Sequence, residues 1–219
     1  MNIAIDGPAG AGKSTIAKKV AKDLGYIYVD TGAMYRAMAL CFIKAGLDLK
    51  DEEAISGRCD DINIELKYVD GAQQVILNGE NVTGEIRAEE VGNGASVTSA
   101  YKKVREKLVA LQRELAKKED VVMDGRDIGT AVLPNAELKV YLTASSLIRA
   151  KRRALELEQK GEKADLETIQ RDIEDRDHRD MTRAISPLVQ AEDAILVDSS
   201  DMGIEEVVET IKKLAEERR

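Results

Sequence analysis

Gly7-Pro8-Ala9-Gly10-Ala11-Gly12-Lys13-Ser14-Thr15 is the stretch on which the reading turns. From Gly7 to Ser14 it fits Gly-x-x-x-x-Gly-Lys-[Ser/Thr] at every fixed position. Ile3-Ala4-Ile5 before it has the apolar, β-branched character of a buried strand. After it, Ile16, Val20 and Leu24 recur with helical spacing on one face. Strand, Gly-rich turn and helix together predict a phosphate loop. Glycines let backbone N–H groups curl around phosphate oxygens, and the helix N-terminus adds unpaired donors and the positive end of its dipole. Lys13 is expected to reach the terminal phosphates, and the Ser14 hydroxyl to coordinate magnesium. A nucleoside triphosphate with Mg2+ is therefore the expected ligand of residues 7–15.

The 219 residues suit one α/β domain with insertions, or two small domains. With no Trp and one Phe, the core must be built from Ile, Val, Leu and Ala. Asp6 interrupts the first apolar run, leaving no room for a signal peptide, and no stretch approaches the ~18 apolar residues of a membrane span. Cys41 and Cys59 form no metal or redox motif, so free thiols in a reducing cytoplasm are expected. The net charge of −8 argues against a general nucleic-acid binder. Yet seven of the fifteen arginines fall between Arg149 and Arg183, which predicts a local anion site.

Tyr26-Ile27-Tyr28-Val29-Asp30 reads as a second strand, and Thr31-Gly32-Ala33 opens a helix carrying Met34, Ala37, Met38 and Phe42. From about Ile62 to Val82, alternation of Ile62, Ile64, Leu66 and Tyr68 with polar residues, and turn signals at Asp70-Gly71 and Asn78-Gly79, predict an inserted antiparallel meander. Val104, Leu108, Leu111 and Leu115 mark a long amphipathic helix. Val121–Asp124, Leu138–Leu142 and Ala194–Asp198 read as strands, residues 145–183 as helical, and 204–215 as a closing helix. Strands alternating with helices predict a parallel sheet covered on both faces.

Asp124 at the end of an apolar strand is placed to hold magnesium or its waters beside the loop. Arg149, Arg152 and Arg153 share a helix face by their spacing, as do Arg176, Arg179 and Arg183. Such residues can be a solvated face exchanging partners with Glu156, Glu158, Glu174 and Asp175. Beside a phosphate loop they can instead stabilise a transferring phosphoryl group and exclude water, as a mobile Arg-rich flap. His178, the one histidine, is expected at the surface.

Four stretches in this order, Ile5–Lys13, Asp30-Thr31-Gly32-Ala33-Met34-Tyr35-Arg36, Asp124-Gly125-Arg126-Asp127-Ile128-Gly129-Thr130 and Arg176-Asp177-His178-Arg179-Asp180, followed by Arg183 and Ser186-Pro187-Leu188, resemble the bacterial cytidylate kinases over essentially the whole chain. The resemblance implies an α/β phosphate-loop nucleoside monophosphate kinase that phosphorylates CMP and dCMP with ATP and Mg2+. It implies a parallel-sheet core (about 1–30, 118–145 and 188–219), a monophosphate-binding region with the β insertion (about 31–117) and a helical Arg-rich lid (about 146–187). Lys13, Asp124, Arg126, Arg149, Arg152 and Arg153 become the expected catalytic set, with Ser14 and Asp124 on the metal. By the same resemblance Arg36 and Arg126 clamp the CMP phosphate near Thr31 and Tyr35. Ser96, Arg105 and Asp127 read cytosine, Arg176 and Asp180 meet the ribose, and Arg183 contacts the nucleotide. Cytosine's N4 amino donor suits an acceptor such as Asp127; its N3 and O2 acceptors suit Ser96 and Arg105. Lys102 stands where the family often has Pro. A cytoplasmic monomer acting on small molecules, without nucleic acid or membrane, is expected. Another small-molecule phosphate-loop kinase, with shikimate kinase nearest in size, leaves the meander unexplained. A GTP-dependent switch would need Asn-Lys-x-Asp, which the sequence lacks.

Overall fold

The computed structural model describes all 219 residues. In chain order the elements are β1 (Asn2–Asp6), α1 (Lys13–Leu24), β2 (Ile27–Asp30), α2 (Thr31–Lys44), α3 (Glu52–Arg58), β3 (Ile64–Val69), β4 (Ala72–Leu77), β5 (Glu80–Asn81), α4 (Glu89–Thr98), α5 (Lys102–Lys118), β6 (Val121–Gly125), β7 (Leu138–Thr143), α6 (Ser146–Gln159), α7 (Leu166–Thr182), β8 (Ile195–Asp198) and α8 (Ile204–Glu216). They divide into two compact units, Met1–Ile27 with Asp120–Arg219, and Tyr28–Glu119. No helix is long and apolar enough to cross a membrane.

The first unit is built on parallel strands in the order β6-β1-β7-β8. Ile5 sits opposite Asp124 on one side and Val140 on the other, so the end of β1 delivers the chain to Gly7 beside the end of β6. Ile3, Ile5, Val122, Met123, Leu138 and Leu142 are almost completely buried. Each such side chain stabilises the fold by roughly 1.5–3 kcal/mol, so aliphatic residues suffice without tryptophan. α1 begins after left-handed Gly12 and stops at left-handed Gly25. It buries Ile16, Ala17, Val20 and Ala21, while Leu24, expected on that face, is only half-buried. α8 turns Val207, Val208, Ile211 and Ala215 inward and packs on α1. The Arg-rich stretch is two helices, capped by the side chains of Ser145 and Asp165 and packed on each other. At the edge beyond β6, the N–H of Ile27 donates to the Asp120 carbonyl at 2.9 Å.

In the second unit α2 is capped by Asp30, whose carboxylate accepts from the Ala33 N–H at 2.9 Å. The sole phenylalanine, Phe42, is buried with Met34 and Met38. β3, β4 and β5 form the antiparallel meander. Its turns are Asp70-Gly71 and Asn78-Gly79, with φ positive at both residues of each pair, the backbone that two-residue hairpins require. Its third strand has two residues, and the expected alternation fades along β3, where Leu66 is half-buried and Tyr68 exposed. The meander is tied down by the N–H of Asp30, which donates to Gln73 Oε1 at 2.9 Å. α5 starts at Lys102 without a proline.

Candidate active site

In the first unit every feature of the phosphate loop has a physical cause. Gly7 has φ +151°, and a Cβ there would stand 1.9 Å from the Leu142 carbonyl oxygen, so no side chain fits against β7. Gly10 and Gly12 have positive φ, the backbone from which an anion-binding nest of N–H groups can be built. Lys13 is buried and its ammonium donates to the Pro8 carbonyl at 2.7 Å. Burial, and then the nearby Arg126 guanidinium, pull the Lys13 pKa well below the usual lysine range. Two cations brought together at a Gly-rich turn mark a place where an anion is stabilised.

Ser14 Oγ donates to Asp124 Oδ2 at 2.8 Å. No group of three or more His, Cys, Asp or Glu side chains forms a metal cluster. One hydroxyl and one carboxylate nevertheless fit a hard cation such as Mg2+, which would take its other oxygens from phosphate and water.

Past Asp124 the chain makes one turn of π-helix over Ile128–Val132. Asp127 opens it, its carbonyl accepting from the N–H groups of Ala131 at 2.8 Å and Val132 at 3.1 Å. Asp6, the residue that breaks the first apolar run, holds the start of this turn. Its carboxylate accepts from the N–H groups of Ile128 at 2.8 Å and Gly129 at 2.7 Å. Burial outweighs those bonds and pushes the Asp6 pKa up to about 6.

The arginines separate by surroundings. Arg126 Nε donates to Asp180 Oδ2 at 2.8 Å. Burial alone would raise the Asp180 pKa, but Arg126, with Arg176 and Arg183 behind it, holds the carboxyl below the usual range. Arg183 Nη2 lies 3.7 Å from Asp127 Oδ1, and its Nε donates to the Ser186 carbonyl at 2.7 Å. Asp127, Asp180, Arg126, Arg176 and Arg183 therefore stand together. Arg149, Arg152 and Arg153 do not share one destination. Arg149 is buried against the loop, donating to Ala9 O and to Asp177, which no spacing or motif singles out. Arg152 donates to the Ser199 carbonyl at 2.7 Å. Arg153 is half-exposed and pairs with Glu156 at 3.2 Å. His178 is exposed, as expected.

The second unit has its own polar group. Thr31 is buried in the first turn of α2. Arg36 Nη1 donates to the Ile86 carbonyl at 3.2 Å and lies against Gly92 of α4. Arg105 is buried, its guanidinium 5.6 Å from the centre of the Tyr35 ring and its Nη1 donating to the Ser99 carbonyl at 3.3 Å. Ser99 Oγ in turn donates to the carbonyl of Ser96, whose side chain is half-buried. Tyr35, Ser96 and Arg105 are thus neighbours, with Ser99 added to them.

Known proteins fit this arrangement. The chain covers 99% of itself and 98% of a shikimate kinase from Bacteroides thetaiotaomicron, with a TM-score of 0.51 at 14% identity. It covers 99% of itself and 93% of a gluconokinase from Sinorhizobium meliloti, with a TM-score of 0.50 at 17% identity. These likenesses show the fold alone. Sequence relatives are far nearer. A cytidylate kinase of Caldicellulosiruptor bescii is 54% identical over 98% of this chain and 95% of its own length. One of Lactobacillus johnsonii is 51% identical over 100% of this chain and 95% of its own. The family model described as cytidylate kinase matches residues 3–217. With its phosphate loop, its Asp124-Gly125-Arg126-Asp127 turn and its Arg-rich helices matched along nearly all its length, this chain belongs to the cytidylate kinase family.

Proposed function

We propose that the protein transfers the γ-phosphoryl group of ATP directly, in line, to CMP and dCMP, giving CDP and dCDP. The observation that carries this reading is the convergence of Lys13, Arg126, Ser14 and Asp124 on one Gly-rich turn, in a chain half identical to enzymes named cytidylate kinase. Lys13, with the loop amides of residues 7–15, holds the donor phosphates; Arg126 meets charge on the transferred group. Magnesium held by Ser14 and Asp124 would neutralise phosphate charge and fix the donor. The acceptor is a phosphate, already anionic near pH 7, so no general base is needed, in keeping with the exposed His178.

The monophosphate is assigned to Thr31, Tyr35, Arg36, Ser96, Arg105, Arg126, Asp127, Arg176, Asp180 and Arg183. Residues about 31–117 are read as the region that binds it, and about 146–187 as a lid. Of the three lid arginines, Arg149 is the one whose guanidinium already lies at the loop. Arg152 and Arg153 would first have to leave Ser199 and Glu156. The free thiols Cys41 and Cys59 favour a reducing, cytoplasmic setting, where we expect a monomer.

Base choice tests the reading. Uracil replaces the N4 amino donor with an acceptor and places a proton on N3, so both Asp127 and Arg105 would face the wrong partner. Sites built on such hydrogen bonds discriminate by up to ~10⁴-fold. CMP should exceed UMP in kcat/KM for the wild type, and Asp127→Ala should close much of that gap. A second reading has Asp127 serve only as Arg183's partner, as their 3.7 Å approach would allow. Equal loss on CMP and UMP in Asp127→Ala would establish that reading instead.

A further inference from the structure

We infer that Asp177 is a positioning residue for the phosphate loop, acting through Arg149. The Arg149 guanidinium is fixed from three sides. Nε donates to the Ala144 carbonyl at 2.8 Å, Nη1 to the Ala9 carbonyl at 2.8 Å, and Nη2 to Asp177 Oδ2 at 2.6 Å. The aliphatic stem of Arg149 passes close to the loop: a Cβ on Gly10 would stand 3.4 Å from Arg149 Cβ and 3.9 Å from its Cγ. Both partners are buried.

A loop that turns its N–H groups inward to phosphate must turn carbonyls outward, and each outward carbonyl needs a donor. For Ala9 that donor is Arg149. Arg149 arrives from α6 and Asp177 from α7, so the carboxylate of one helix sets the cation of the other against the loop. Asp177 Oδ1 is buried with no hydrogen-bond partner, so the carboxylate spends its hydrogen bonding on Arg149 alone. Removing it frees Nη2 and leaves a buried guanidinium without its counter-charge, and the hold on Ala9 loosens.

The inference rests on the loop being the triphosphate site, and not on which monophosphate accepts the phosphoryl group. Its test is binding of ADP with Mg2+ to the full-length protein, followed by calorimetry, with thermal unfolding of each variant as a check on folding. Losing a charge-assisted hydrogen bond of this kind corresponds to roughly tenfold to a hundredfold in affinity. Asp177→Ala should weaken ADP by that factor and change the KM for CMP by less than about twofold. Asp177→Asn, which keeps a neutral acceptor for Nη2, should fall between the two. In an Arg149→Ala background, Asp177→Ala should cost no further ADP affinity. Additive losses in the double variant, or equal loss of ADP and CMP, would overturn the role. So would wild-type ADP affinity in a folded Asp177→Ala. A wild-type protein that shows the Asp177–Arg149 coupling yet ignores CMP would remove the acceptor assignment and leave Asp177's role standing.

Discussion

At the scale of single residues, Asp6 shows burial and hydrogen bonding in competition. Two backbone N–H groups favour its ionised form, yet the desolvation cost is larger and its pKa is pushed above the usual aspartate range to about 6. A carboxyl whose pKa is raised by folding binds its proton more tightly in the native state than in the unfolded chain. Its contribution to stability is full below the unfolded value and is lost as pH rises through about 6. We therefore expect the stability of the wild type relative to Asp6→Asn to fall between pH 4 and 6, by on the order of 2–3 kcal/mol. Urea unfolding of both proteins across that window measures it; a gap that widened with pH would show the two N–H bonds winning instead. In the sequence Asp6 stood out only as a break in an apolar run, with no sign of what it holds. Its partners, Ile128 and Gly129, lie more than a hundred positions away and come to Asp6 only through the parallel register of β1 and β6. Lys13 and Ser14 were legible because their motif is contiguous. Asp177 was not, because its single partner sits on another helix.

At the scale of elements, legibility followed periodicity. α1, α2 and α5 carry helical periods, β1 an apolar run and the meander its two Gly turns, and each appears where those signals place it. α3 and α4 went unread, since a seven-residue helix and one interrupted by Gly92 and Gly94 show little periodicity. Those two glycines have a packing role. A Cβ on Gly94 would come within 2.8 Å of Leu49 Cδ1, and one on Gly92 within 2.8 Å of Arg36 Nη1, so α4 lies close on α2 because side chains are missing there. Glycine in a helix ordinarily costs up to about 1 kcal/mol relative to alanine. Gly92→Ala should therefore leave stability unchanged or raised, because the obstructing atom is the movable end of Arg36, while displacing that guanidinium. If Arg36 holds the monophosphate, the KM for CMP should rise on the order of tenfold with kcat little affected. Steady-state kinetics beside a thermal melt decides this. Unchanged KM in a protein of equal or greater stability would take Arg36 out of the acceptor site.

At the scale of the whole molecule, the chain leaves one compact unit at Ile27 and re-enters it at Asp120, and each unit has its own buried core. The candidate donor groups Lys13, Ser14, Asp124 and Arg149 belong to the first unit; of the acceptor groups, Thr31, Tyr35, Arg36, Ser96 and Arg105 belong to the second, and Arg126, Asp127, Arg176, Asp180 and Arg183 to the first. Parts with separate cores can open separately, and a ligand slows only the openings that destroy its own site. At 100 times its dissociation constant a ligand stabilises its unit by about 2.7 kcal/mol, a slowing of ~100-fold in exchange through that opening. We expect ADP with Mg2+ alone to slow amide exchange in the loop, β6, α6 and α7, and to leave the meander, α2 and α4 nearly unchanged. CMP alone should slow α2, α4 and the start of α5, and also the turn after β6 and α7, which carry Arg126, Asp127, Arg176 and Asp180. Hydrogen exchange resolved by peptide on the full-length protein reads both outcomes in one experiment. Protection spreading equally through both units with ADP alone would mean that they open as one cooperative body, and the confinement of the donor groups to an independently opening first unit would have to be abandoned.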